Sequence, residues 1–179
     1  MHEFKSAPAI DTPRLSLRAH TVGDFADCVA LWGNPDVVRH ITGVPSTAEA
    51  TWARLLRYAG HWSLLGYGYW AVRDRATQQF LGEVGFADHH RDVAPVLEPP
   101  ESGWVLAPQA HGRGLATEAV RAILAWADAR GWRRTTCMIA PDNTSSLRVA
   151  TKCGYEPFAD TSYLGEPCLL FARERPTHA

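Results

Sequence analysis

The chain has 179 residues, 46% of them apolar and 21% charged, with a formal net charge of -1. That length favours one domain with a core large enough to need no disulfide or metal staple, and the composition excludes a disordered chain. Without a basic stripe, a membrane-length apolar run or an apolar N-terminal leader, the readings "nucleic-acid binder", "membrane protein" and "exported protein" lose their footing. The four cysteines, Cys28, Cys137, Cys153 and Cys168, lie far apart with no C-x-x-C, which suits reduced thiols in a cytoplasm.

In chain order, Asp11-Thr12-Pro13 is a turn leading into RLSLRA, Arg14 to Ala19, which alternates polar and apolar residues like a half-buried strand. The spacing of Phe25, Val29 and Trp32 predicts a helix that Gly33-Asn34-Pro35 stops. A second helix starts from Ser46 or Thr47 and continues through Trp52, Leu55 and Leu56, before breaks at Gly66 and Gly68. YWAVRD (Tyr69 to Asp74) and FLGEVGFAD (Phe80 to Asp88) predict a hairpin, although Arg75 to Gln79 are weak turn formers. A proline-bearing loop, Arg91 to Pro100, precedes a strand from Ser102 that Pro108 ends. Leu115 to Arg130 is the clearest helix, with an apolar stripe through Leu115, Ala119, Val120, Ile123, Leu124 and Ala127, closed by Gly131. RRTTCMIAP predicts a strand, NTSSLRVATKCG a helix capped by Asn143, and CLLFARE a last strand. Alternating helices and strands with a hairpin in the middle imply a mixed α/β sheet with helices on its faces, not a doubly wound parallel one.

The stretch QAHGRGLATEAV, Gln109 to Val120, carries the chemistry. A helix start leaves backbone N–H groups unpaired and places partial positive charge there. Gly112 and Gly114 permit positive φ and close approach, Arg113 adds a charge and Gln109 a donor, so the run suits a pyrophosphate. The P-loop pattern is absent. A dinucleotide-binding reading fails because the acid it requires would be Asp128, inside the long helix. A plain glycine turn ahead of a helix remains the alternative for this run taken alone.

The pattern Gln109-x-x-Gly112-x-Gly114-Leu115-Ala116, following a strand and opening a helix, resembles the acetyl-CoA loop of the GCN5-related N-acetyltransferases. Asn143-x-x-Ser146-x-x-Val149-x-x-Lys152-x-Gly154-Tyr155 and the N-terminal T-P-R-L-x-L-R resemble the RimJ/RimL-like branch, which acetylates ribosomal-protein N-termini. The resemblance covers Thr12 to about Phe171. It implies one domain over residues 12–173 with flexible ends at 1–11 and 174–179. It further implies a mixed, largely antiparallel sheet of about seven strands with helices on both faces and a splayed cleft. Acetyl-CoA would lie in that cleft as cosubstrate, with no metal, its arm on the backbone of Val105 and Leu106 in the fourth strand. Its diphosphate would rest on Gln109, His111, Gly112, Arg113, Gly114, Leu115 and Ala116, with Asn143 and Ser146 beside the arm. The acceptor implied is a primary amine, either a peptide N-terminus or a small molecule, and the chain a monomer or homodimer. A catalytically silent acyl-CoA-binding domain is the competing reading.

Acyl transfer to an amine needs a proton acceptor, because free amines have pKa values of about 8 to 10. It also needs donors for the oxyanion, for which a backbone N–H near Val105 or Leu106 is the candidate. The leaving thiol, with a pKa near ~8.5, needs little acid. Many family members place a tyrosine seven residues after the asparagine position, but here that residue is Ala150, which cannot donate; the resemblance to the RimL-like branch instead implies Ser146, three after Asn143, as the candidate donor. Its alternative is a first-turn serine satisfying backbone. Candidate bases are Glu101, at the cleft mouth, and Glu83, in an apolar strand where a solvent-facing side chain is the alternative. His89 and His90 titrate in a useful range but read better as loop. No cysteine or histidine spacing suits a metal. Among seven tryptophans, Trp32, Trp52 and Trp62 either wall the acceptor site or pack the core.

Overall fold

A computed structural model describes residues 5–176. Eight strands form one sheet: β1 (Ile10–Asp11), β2 (Leu15–Arg18), β3 (Tyr69–Asp74), β4 (Phe80–Ala87), β5 (Glu101–Leu106), β6 (Arg134–Ile139), β7 (Glu156–Tyr163) and β8 (Glu166–Glu174). Their order is β1-β2-β3-β4-β5-β6-β8-β7, and every pairing is antiparallel except β5 with β6. Five helices accompany it: α1 (Phe25–Trp32), α2 (Pro35–Val38), α3 (Ala48–Leu65), α4 (Leu115–Ala129) and α5 (Thr144–Lys152). No described helix is long and apolar enough to cross a membrane.

Local chemistry explains these bounds. Thr47 Oγ1 accepts the Ala50 N–H at 3.1 Å and starts α3, which runs on to Leu65 and stops at left-handed Gly66. The β3–β4 hairpin closes through Asp74, whose carboxylate accepts the N–H groups of Ala76 and Thr77 at 3.0 Å each. That capping replaces the turn residues the 75–79 segment lacks.

Apolar side chains divide between the two faces of the sheet. On one, Leu15, Leu17, Trp70, Val84, Phe86 and Leu106 meet the α4 stripe of Leu115, Ala119, Val120 and Ile123. On the other, Ala71, Phe80 and Val105 meet Cys28, Leu31 and Trp32 of α1 and Leu55 of α3. Trp32 and Trp62 are buried, so packing is their occupation, while Trp52 stays partly exposed with its ring edge on Phe25.

The structure departs from the sequence expectation at the ends. Within the N-terminal segment expected to be flexible, Ala7 is buried, Pro8 O accepts the Trp70 indole N–H at 2.7 Å, and Ile10 and Asp11 pair with Leu17 and Ser16. At the other end β8 includes Glu174, and the Arg175 N–H donates to Arg133 O at 2.7 Å. Residues 1–4 and 177–179 lie outside the described residues. β7 has no counterpart among the elements expected from the sequence, because it is mostly exposed and lacks the apolar alternation that marks a half-buried strand.

Candidate active site

The cleft begins where the two halves of the sheet part. β5 and β6 share one register pair, Glu101 with Thr136, and the Thr136 N–H donates to Pro100 O at 3.1 Å. Beyond that pair the strands diverge, β5 staying on β4 and β6 on β8. Tyr155 holds the closed end: its hydroxyl bonds Ser102 Oγ at 2.7 Å on β5 and Thr135 Oγ1 at 2.9 Å on β6. At the mouth of the cleft, His40 Nδ1 lies 3.2 Å from Asp142 Oδ1, joining the end of α2 to the loop before α5.

Alternation along β5 decides which backbone groups the opening receives. The Ala107 N–H donates to Leu81 O at 2.8 Å, towards β4. Neighbouring residues in such a ladder turn their backbone groups to opposite sides. Val105 therefore points its N–H at β4, opposite Glu83, while Trp104 and Leu106 point theirs into the gap. Of the two expected backbone contacts, Leu106 lines the opening and Val105 does not; Trp104 takes its place. Leu106 O already accepts from His111 Nε2 at 2.8 Å, which ties the glycine loop to the strand.

Beside the open end lies the loop itself. Gly112 and Gly114 both have positive φ, 72° and 73°, and a Cβ on Gly112 would meet nothing within 4 Å. The His111 N–H donates to Pro108 O and the Glu118 N–H to Gly114 O. Between them, no backbone N–H from Gly112 to Thr117 has an acceptor among the described residues. Gln109 and Arg113 are exposed at the rim, Leu115 is buried under the loop, and Ala116 is half-buried. The run thus collects unpaired donors and the positive end of the α4 dipole at one accessible place.

What holds the loop is the T-P-R stretch. Thr12 Oγ1 donates to Glu118 Oε1 at 2.6 Å, Arg14 Nε to Glu118 Oε2 at 2.7 Å, and Arg14 Nη1 to Arg113 O at 2.8 Å. Burial pushes the Glu118 carboxyl up, but Thr12 and Arg14 outweigh it and hold the group below its ordinary range.

Across the gap, Asn143 caps α5: its Oδ1 accepts the Ser146 N–H at 3.1 Å, and its Nδ2 keeps no partner among the described residues. The half-buried Ser146 hydroxyl likewise bonds nothing described, so it is not satisfying backbone. Ala150 is fully buried.

The candidate bases part company. Glu101 lies not at the mouth of the cleft, as expected, but at its closed end, because its pairing with Thr136 is where β5 and β6 join; there it receives Arg91 through Nε at 2.7 Å and Nη2 at 2.8 Å. Glu83 has no exposed surface, so the solvent-facing reading does not hold. Its Oε2 accepts Trp32 Nε1 at 2.9 Å and Tyr58 Oη at 2.7 Å, and its Oε1 accepts Cys28 Sγ at 3.3 Å, with His20 Nε2 at 3.4 Å. Burial pushes this carboxyl up, but His20, Tyr58 and Trp32 reverse that and hold it below its ordinary value. Burial and the Glu83 charge push the Cys28 thiol up. His20, Cys28 and Glu83 could geometrically share an ion, since their ligand atoms lie within 4.8 Å of one another. Cys28 Sγ is committed to Glu83, whereas neither ring nitrogen of His20 makes a hydrogen bond among the described residues. Burial, with Arg91, Arg57, His61 and Arg54 around it, drives His89 down to about 3, well away from neutrality. A cavity of about 280 Å³ lined by Leu65, Gly66, Tyr67, Pro100, Arg130 and Trp132 sits at the closed end, away from the loop.

Relatives agree with this architecture. A sequence model described as the acetyltransferase (GNAT) domain matches residues 14–156. YkkB, an uncharacterized protein of Bacillus subtilis (strain 168), is 28% identical over 170 residues, covering 91% of this chain and 94% of YkkB. A solved acetyltransferase assigned to the GnaT family, from Bordetella pertussis, is 30% identical with a TM-score of 0.83, covering 93% of this chain and 99% of the other. RimL, a ribosomal L7/L12 α-N-protein acetyltransferase solved with coenzyme A, shares the fold at 17% identity and a TM-score of 0.76, over 93% and 98% of the two chains.

Proposed function

This chain belongs to the GNAT acetyltransferase family, and from that premise we propose that it moves the acetyl group of acetyl-CoA onto a primary amine by direct attack in a ternary complex. The carrying observation is the run of unpaired N–H groups from Gly112 to Thr117 beside an open strand gap. These donors would hold the diphosphate. Trp104 and Leu106 would offer backbone N–H groups to the arm and to the acyl oxygen, and Asn143 Nδ2 would reach the arm from the opposite wall. Acetyl-CoA brings the activated thioester.

Glu101 would accept the proton the amine loses, directly or through a water, while Arg91 fixes its orientation. Ser146 Oγ, with no competing partner among the described residues, would donate to the departing sulfur. Since a thiol leaves readily near neutral pH, Ser146 would contribute modestly and placement would supply most of the rate. Glu83 is engaged on every side and would position α1 and α3 rather than transfer protons. The acceptor would be a peptide N-terminal α-amine, the class that RimL's name states for RimL, or a small-molecule amine.

Calorimetry of acetyl-CoA binding tests the cradle. Gly112→Glu puts a carboxylate beside the phosphate position and should weaken binding about a hundredfold, ~2.7 kcal/mol, with the fold retained. Gly112→Ala carries the same positive-φ strain without the charge, so the difference between the two isolates electrostatics. Equal, undiminished affinity in both would remove the assignment. Thiol release across an amine panel separates an enzyme from a silent acyl-CoA binder, which would bind and release nothing.

A further inference from the structure

One row of the sheet is stripped of side chains on its α3 face. Tyr69 on β3 pairs with Gly85 on β4, which pairs with Gly103 on β5. The Tyr69 ring lies flat in the space the two glycines leave. A Cβ built on Gly85 would stand 2.3 Å from Tyr69 Cα and 2.7 Å from its Cγ; one on Gly103 would stand 2.0 Å from Oη. The side chain therefore runs sideways across β4 and delivers its hydroxyl to β5, the strand that borders the gap. Tyr58 clamps it there, stacked at 4.7 Å and 14°, and Tyr58 is itself tied to Glu83.

A phenylalanine would fill the same slot. The hydroxyl adds no hydrogen bond to any described residue, yet the residue is half-buried rather than sealed. Burial raises the Tyr69 phenol, the nearby Glu101 charge adds to that and Arg91 opposes it, so the group stays a neutral O–H at working pH. On the other face of β5, Leu106 lies in the core beneath α4 with Trp104 packed against it, so an acceptor reaching mid-strand must come over the Tyr69 face.

We propose that Tyr69 Oη binds the acceptor amine, taking an N–H of the neutral amine so that its lone pair faces the acyl carbon on β5. The proposal rests on the acetyl-transfer reading above. The acceptors it fits are primary amines, whose neutral nitrogen can give one N–H to Tyr69 Oη while its lone pair faces the acyl carbon.

Tyr69→Phe keeps the ring, its stack on Tyr58 and the cover over Gly85 and Gly103. Thiol release from acetyl-CoA is measured with glycinamide, phenethylamine, spermidine and tetrapeptides headed by Ala, Ser or Met. The expected result is a tenfold or greater fall in kcat/KM for the amine, with acetyl-CoA affinity and melting temperature unchanged, a split that a purely structural tyrosine would not give. Wild-type kcat/KM in the Phe variant overturns the Tyr69 role and leaves acetyl transfer standing. In parallel, protein labelled with [ζ-13C]tyrosine is titrated with the same amines in the presence of CoA, and the Tyr69 resonance should move. Movement without any thiol release by the wild type would sink acetyl transfer yet keep the amine contact; a still resonance with every amine sinks the contact.

Discussion

Two polar regions lie on either side of β5 and could hardly differ more. Around Glu83, each carboxylate oxygen has two neighbours, from α1, α3 and the segment after β2, and no surface is exposed. Around Gly112, a run of N–H groups has no acceptor among the described residues, and Gly112, Arg113 and Gly114 are exposed. Both regions contain candidate site residues; the Glu83 carboxylate already has its donors, while the N–H groups from Gly112 to Thr117 stand open to a ligand. A buried polar group that has found all its partners holds elements together; an accessible one that has found none waits for something else.

Breaking the saturated side gives the largest effect. Glu83→Ala leaves Trp32 Nε1, Tyr58 Oη and Cys28 Sγ buried without their acceptor, so stability in urea should fall by about 3–5 kcal/mol. Glu83→Gln keeps the shape and should lose less. The acid limb follows from the same contacts. Because the folded carboxyl sits below its ordinary value of 4.5, its contribution is complete above that pH and disappears as pH falls through the folded value. Urea titrations of the wild type should therefore steepen in pH dependence below 4.5, and the Gln variant should be flatter there. Parallel curves would show that the hub is not the acid-sensitive element.

The closed end of the cleft comes next. Tyr155→Phe strands the Ser102 and Thr135 hydroxyls at the point where β5 and β6 are joined. A loss of about 2 kcal/mol is expected from the two bonds. If Tyr155 also fixes where the strands begin to part, acetyl-CoA affinity should drop with stability; a stability loss alone would confine Tyr155 to packing.

The contrast also explains what the sequence revealed. Gly112 and Gly114 were legible because positive φ and open donors leave a compositional trace next to a strong helical stripe. Long helices and the β3–β4 hairpin follow from periodicity. Glu83 misled because partners at positions 20, 28, 32 and 58 are brought to it only by tertiary packing, and a lone acid between apolar neighbours reads alike whether solvated or enclosed. Val105 and Leu106 were indistinguishable until the β4–β5 register fixed which backbone faces the gap. Tyr69 escaped altogether, since its path over Gly85 and Gly103 runs across three strands and has no local signature.

The smallest expected effect sits where the cradle meets the rest of the fold. Arg14 is half-exposed, and its ion pair with Glu118 is screened, so Arg14→Ala should cost no more than about 1 kcal/mol in stability. Its other contact, to Arg113 O, holds the loop between the two glycines. Freed from it, the N–H groups from Gly112 to Thr117 would have to be ordered on binding, an entropy cost that Arg14 otherwise removes beforehand. Acetyl-CoA affinity should accordingly fall about threefold to tenfold in calorimetry, with a less favourable entropy, while Glu118→Gln, which spares the Arg113 contact, should fall less. Equal losses in the two variants would assign the loop's order to the carboxylate and not to the arginine that spans both.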